Sequence, residues 1–156
     1  MPPKTICLDA GLVIRRVFFP DDSSTSQAWE TWENQGCHCA APTLLPYEVT
    51  NVLHRYAQQG LLSQDTALVA LMAALALPVE LVGDPALHQR ALELDHRYLL
   101  PAAYDAHYLA LAERLGCPLW TANARLVSAL RSQGVGWLRL VGLDDPATSS
   151  LLPDMR

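Results

Sequence analysis

The chain has 156 residues, 51% of them hydrophobic and 17% charged, with a formal net charge of −5. That length suits one domain with one core, and the apolar content excludes a chain disordered throughout. The acidic total argues against a broad nonspecific DNA binder, but ten of the eleven basic residues are arginine, which leaves room for a local phosphate-gripping patch.

Met1-Pro2-Pro3-Lys4 lacks the apolar run and small-residue cleavage site of a secretory signal, so a cytoplasmic protein is expected. Residues 5–8 are a short apolar run ending at Asp9, the pattern of a buried strand. Residues 11–19 follow as a short helix, stopped by Pro20 and the polar cluster 21–24. Residues 24–34 predict an amphipathic helix with Ala28, Trp29 and Trp32 on one side, closed by Gly36. These tryptophans, with Trp120 and Trp137, suit core or partner packing better than base stacking. Residues 37–41 predict a second strand, cut off by Pro42. Its Cys37-His38-Cys39 has no second ligand pair at zinc-finger spacing and reads as a strand start with incidental thiols. The four cysteines, with Cys7 and Cys117, are read as reduced.

Residues 44–59 predict a helix stopped by Gly60, with Leu45, Val49, Val52, Leu53 and Tyr56 at helical spacing. Ser63 caps a further helix, which runs through an unusually apolar stretch to Leu77 and stops before Pro78. That helix suits either the core or a protein contact. The longest apolar run, residues 67–79, is too short to span a membrane. Residues 79–82 are a third strand, and Asp84-Pro85 opens a helix over 85–98. A helix over 102–115 ends at Gly116. A strand over 118–121, a helix over 124–133 and a strand over 137–141 complete the series. Residues 1–143 form the domain, and residues 144–156, with Pro146, Ser149, Ser150 and Pro153, read as a loose tail. The alternation predicts an α/β fold with a parallel sheet covered on both faces, whose working site lies at the carboxyl ends of the strands.

Acids gather at such positions. Asp9 directly follows the first strand, and Asn123 follows the strand Leu119-Trp120-Thr121 in the same way. Glu48 lies in the first turns of its helix between apolar Leu45 and Val52, at the edge of the buried face. Asp105 opens an otherwise apolar helix. Taken singly, each has a plain reading as a cap, a first-turn acid or a solvated side chain. Together they would repel, and a hard cation such as Mg²⁺ or Mn²⁺ removes that penalty by binding oxygen ligands. Hydrolysis of a phosphodiester is the natural chemistry of such a site.

Four segments carry a resemblance: Ile6-Cys7-Leu8-Asp9-Ala10, Leu44-Leu45-Pro46-Tyr47-Glu48-Val49-Thr50-Asn51-Val52-Leu53, Tyr104-Asp105-Ala106-His107-Tyr108-Leu109-Ala110-Leu111-Ala112-Glu113 and Leu119-Trp120-Thr121-Ala122-Asn123. In order, spacing and flanking residues they resemble the signature segments of PIN-domain ribonucleases, nearest to the VapC-like toxin branch of toxin–antitoxin pairs. The resemblance implies a three-layer α/β/α fold and a Mg²⁺- or Mn²⁺-dependent endoribonuclease. It also implies RNA as substrate, a homodimer, and a small antitoxin protein as partner. Asp9, Glu48 and Asp105 would be the metal-binding acids, and Thr121 would orient a ligand or water.

The chain departs from the family at two places. Asn123 stands where a fourth acid is usual, so it offers an amide oxygen and no charge. Gly11 stands where Ser or Thr is common. These departures motivate the alternative of a catalytically weak PIN-like module that binds RNA or protein. Arg15, Arg16 and Arg125 lie near the site in sequence and suit RNA phosphates, or else are solvent-facing arginines. His107 reads as a packed or surface histidine in preference to a general acid.

Overall fold

A computed structural model describes residues 4–148. Five strands, β1 (Thr5–Leu8), β2 (His38–Pro42), β3 (Val79–Val82), β4 (Leu119–Thr121) and β5 (Leu138–Leu140), alternate with helices. Two helices, α1 (Ala10–Phe18) and α2 (Ser23–Asn34), join β1 to β2, and α3 (Leu45–Gln58) and α4 (Gln64–Leu75) join β2 to β3. Two more, α5 (Pro85–Tyr98) and α6 (Ala103–Leu115), lead to β4, and α7 (Ala124–Arg131) leads to β5.

Short polar side chains set the helix starts. Asp9, Asp22, Ser63, Asp84 and Asn123 cap α1, α2, α4, α5 and α7, each accepting a backbone N–H three residues on. Gly116, at φ 62°, closes α6 in the left-handed conformation that glycine adopts without strain.

The sheet order is β3-β2-β1-β4-β5, and every pairing is parallel. The chain steps from β1 through β2 to β3, then returns to place β4 on the other side of β1. Right-handed crossovers put helices on opposite faces when the direction of travel reverses. Accordingly α1, α3 and α4 pack together, while α6 lies over β1, β2 and β4 with α5 against it, and α7 lies against β5. This is the expected three-layer α/β/α architecture around a parallel sheet.

Ile6, Cys7 and Leu8 are fully buried, as is most of α6 from Ala106 to Ala112. The tryptophans are core residues. Trp29 meets Trp32, and Trp32 meets Trp120, each edge-on with ring centroids 5.5 Å apart. These contacts fasten α2 to β4. Trp137 is buried as well.

Two details differ from expectation. Pro42 belongs to β2 instead of ending it before residue 42. Thr43 N–H donates to Val82 O (3.0 Å), so the missing Pro42 N–H leaves the ladder to β3 intact. The α4 and α7 helices end earlier than predicted, because tighter turns intervene: Leu77 N bonds Ala74 O, and Gln133 N bonds Leu130 O. Of the two settings open to the apolar α4, core or protein contact, the core takes only one face. Leu68, Val69, Met72 and Leu75 are 52% to 70% exposed, Ala70 and Ala74 are buried, and Ala67 and Leu71 pack partly buried against the core.

At the start of the tail, Asp144 Oδ2 accepts from Arg131 (2.8 Å) and from Leu140 N (2.6 Å). A 3-10 turn, Pro146–Thr148, then lies against α2. The remainder of the expected loose tail, residues 149–156, lies outside the described residues. Among the described residues no helix is long and apolar enough to cross a membrane.

Gly83 follows β3 beside Thr43, which follows β2. A Cβ at Gly83 would lie 2.4 Å from Thr43 Oγ1 and 2.9 Å from Cγ2. Gly83→Ala is therefore expected to cost ~1–3 kcal/mol in urea unfolding, with most of it recovered when Thr43→Ala is added. Strictly additive losses would refute the close approach.

Candidate active site

The strand order reverses between β1 and β4, and Asp9 sits at the carboxyl end of that seam. Crevices at such reversals are where open α/β sheets place ligands. Asp9 is held from two sides. Its Oδ1 accepts from Leu12 N (3.1 Å), and its Oδ2 accepts from the Thr121 hydroxyl. Thr121 is fully buried at the end of β4, and its Oγ1 also accepts from Asn123 N (3.0 Å). One hydroxyl thus ties the end of β4 to the acid that ends β1.

Glu48 and Asp105 reach this place from opposite layers. Each lies in the first turn of its helix, α3 and α6 respectively, and is half-buried. In parallel α/β units the helix N-termini follow the carboxyl ends of the strands, so these first turns converge on the same edge. The helix dipole partly offsets the charge placed there.

Electrostatics record the proximity. Burial pushes Asp9 up from 3.8 to about 6, against the lowering effect of its bonds to Thr121 and Leu12, and the charges of Asp105 and Glu48 add to the rise. Burial also raises Glu48, with a further rise from Asp105, and burial raises Asp105. The Tyr108 phenol, nearly buried beside Glu48, is driven far upward by burial first and by these acids second. Glu48 Oε1 and Tyr108 Oη are both buried without a hydrogen bond of ordinary geometry, although each feels the other's field.

Buried carboxylate oxygens with raised carboxyl groups are the donor set a hard divalent cation suits. As the side chains stand, no three acid, imidazole or thiol groups among the described residues close around a single point. Asp9 is pinned, whereas Asp105 forms no hydrogen bond among the described residues. Closure on an ion would therefore fall to Asp105 and Glu48.

The remaining sequence-selected residues are placed as follows. Asn123 is exposed, and its Oδ1 is engaged by Leu126 N (3.1 Å) as the α7 cap. Gly11 is exposed next to Asp9, and a Cβ there would lie 3.4 Å from Asp9 Oδ1. Arg15 pairs with Asp22 (2.9 Å), and Arg16 lies 3.9 Å from Glu33. Arg125 is exposed at the start of α7 and makes no ion pair among the described residues. His107 Nδ1 donates to Ala103 O (2.7 Å), which leaves Nε2 to accept from His88 Nδ1 (2.8 Å). Sequence reading overlooked Tyr108 and His88. Tyr108 has a local signal, one helical turn beyond Asp105 on the same face; His88 comes from a separate helix and has none.

No protein-family model matches the chain, and no curated protein matches it in sequence. Solved structures do match. The chain is similar to PAE2754 from Pyrobaculum aerophilum, with TM-score 0.60 and 22% identity over 82% of this chain and 87% of that one. It is also similar to a toxin–antitoxin complex from Klebsiella pneumoniae, with TM-score 0.54 and 21% identity over 77% and 88%. A third is VapBC2 from Rickettsia felis bound to a DNA fragment from their promoter, with TM-score 0.60 and 13% identity over 80% and 92%. At these identities the likeness shows the fold alone, a three-layer α/β/α PIN-like architecture.

The Asp9 carboxyl keeps its proton to about pH 6 in the fold and to 3.8 in the open chain. The folded state thus holds the extra proton between those values, and metal-free stability falls as pH rises from about 4 to about 6. Asp9→Asn keeps the cap and removes the charge. Chemical unfolding at pH 7.5 without metal should show the variant more stable by ~1–3 kcal/mol, with the gain vanishing near pH 4. A variant less stable than the parent at pH 7.5 would contradict this electrostatic account.

Proposed function

We propose that the chain is a Mg²⁺- or Mn²⁺-dependent endoribonuclease and the toxin of a toxin–antitoxin pair. The observation that carries the reading is the mutual electrostatic influence of Asp9, Glu48 and Asp105, with the Asp9 carboxyl raised by both of the others. A bound divalent cation supplies a Lewis acid for the scissile phosphate and water of lowered pKa.

The chain's own groups do the positioning. Asp9 is the fixed ligand, oriented by Leu12 N and the Thr121 hydroxyl. Glu48 and Asp105 complete the set from α3 and α6. Asn123 adds no charge, so the set has three acids. Arg125 meets backbone phosphate beside the site. Arg15 and Arg16 reach RNA only by leaving Asp22 and Glu33. A groove of about 650 Å³ between α1 and α3, bordered by Gly11, Arg15, Phe18 and Tyr56, gives single-stranded RNA a path past Asp9.

The exposed α4 face and the adjoining groove of about 630 Å³ against α3, lined by Leu53, Ala57, Leu62 and Leu71, are the surface we assign to protein partners. The partners are a second copy of this chain and a small antitoxin. The toxin–antitoxin complex among the structural neighbours supports an antitoxin as partner.

The activity test is cleavage of single-stranded RNA with Mn²⁺. The parent should cut. Asp9→Asn and Asp105→Asn should lose at least ~100-fold in kcat/KM. Mn²⁺ should raise the Tm of the parent and leave that of Asp105→Asn nearly unchanged. Cleavage by parent and variants alike, or no Mn²⁺ effect on the parent Tm, would refute the site.

One observation favours a second reading, a catalytically weak module that binds RNA or protein. The Asn123 amide oxygen is committed to the α7 cap, which leaves the fourth acid position neutral. If the parent is inert and Asn123→Asp gains Mn²⁺-dependent cleavage, the second reading holds. For the partner surface, Met72→Glu should convert a dimer to a monomer in light scattering without lowering RNA cleavage per chain. An unchanged dimer would move the interface away from α4.

A further inference from the structure

Cys7 and Cys117 are buried thiols for which the proposed reaction has no use. Cys7 lies within β1 and is 0% exposed; Cys117, 3% exposed, sits between Gly116 and β4. They are separated by 110 residues in sequence, yet their sulfur atoms are 3.6 Å apart. The backbones around them are fixed: Cys7 N donates to Pro118 O (2.9 Å) and Cys117 N to Ala112 O (3.1 Å).

We propose that Cys7 and Cys117 form an oxidisable dithiol, closed to an intramolecular disulfide by a peroxide, that staples β1 to β4. A disulfide needs sulfurs about 2.05 Å apart, a separation that small rotations of two side chains already in contact can reach. The pairing is also selective. Cys39 is the register partner of Ile6 on β2, so its side chain lies on the sheet face opposite to that of Cys7. Cys37 is half-buried outside the sheet and points its thiol at Gln35 Oε1 (3.8 Å).

Either sulfur can donate toward the other across the 3.6 Å contact. One of the two, as its thiolate, attacks: its sulfur bonds one peroxide oxygen, the O–O bond breaks, and hydroxide departs to take up a proton. The other sulfur then attacks the sulfenic sulfur, the S–S bond forms, the S–O bond breaks and water leaves. Two thiols give up two electrons and two protons, and one peroxide becomes two waters.

The staple lies on the strand pair that carries the site. Asp9 follows β1, which holds Cys7, and Thr121 ends β4, which Cys117 leads into, so the cross-link and the Asp9–Thr121 hydrogen bond secure the same seam at two levels.

The test uses the full chain, treated with hydrogen peroxide, alkylated and digested without reductant. The expected product has lost about 2 Da, and its Cys7 and Cys117 peptides are joined and separate again with dithiothreitol. Its Tm should rise by about 10 °C, because the cross-link closes a long loop, and the rise should be absent in Cys117→Ala. Oxidation confined to Cys37, joined peptides containing other cysteine pairs, or alkylation of Cys7 and Cys117 at the level of untreated protein would each overturn the proposal. The peptide map of the unsubstituted chain decides the matter even if Cys117→Ala fails to fold.

Discussion

The hydrogen bond from the Thr121 hydroxyl to Asp9 spans the seam where the sheet changes direction, and the arrangement of the site depends on it. On one side of that seam the chain winds from β1 to β3. On the other it resumes with β4 and β5. Because the crossovers keep one hand, the reversal also divides the helices between two layers, which brings the first turns of α3 and α6 in from opposite sides. An acid in either first turn then points at the end of β1. Thr121 has no polar neighbour to spare: the same oxygen serves Asp9 and the backbone of Asn123.

Gathering carboxylates there opposes folding. Burial and mutual repulsion hold these groups above their ordinary range, and the rest of the molecule offsets that strain. The offset comes from plain packing. The buried face of α6 lies over three strands, and the edge-on tryptophans lock α2 to β4. The order of strengths is therefore a rigid apolar frame around a locally unfavourable acidic cluster. A frame of this kind keeps Asp9 in place, whereas Glu48 and Asp105, less tightly held, can adjust.

Much of the fold is legible in the sequence, because its signals are local. An apolar run that stops at a carboxylate marks β1, Ser63 and Asp84 mark helix starts, and Gly116 marks a stop. The segments around Asp9, Glu48 and Asp105 are legible for the same reason, each being an acid set into an apolar context. What escaped is non-local. Arg15 and Arg16 do not advertise their acidic partners, whereas the Asn123 cap on Leu126 is a local contact that the plain reading of that residue covers. The fate of α4 also depends on the whole fold: its composition suits core and protein contact alike, and the layer beneath takes only Ala67, Ala70, Leu71 and Ala74 from it. Pro42 misled because a strand-ending proline and a strand-breaking proline look alike until the neighbouring ladder is known.

The return of β4 to the side of β1 has a kinetic consequence. Thr121 follows Asp9 by 112 residues, so the first strand made must wait for one of its two neighbours until most of the chain exists. At ribosomal speeds that interval is on the order of ten seconds, far longer than a helix or hairpin needs to form. Throughout it the fully apolar Ile6-Cys7-Leu8 edge is open on one side in the nascent chain. The N-terminal half, with β1 paired to β2, therefore emerges as an unfinished sheet, and translation rate and chaperone access bear directly on the yield of native protein.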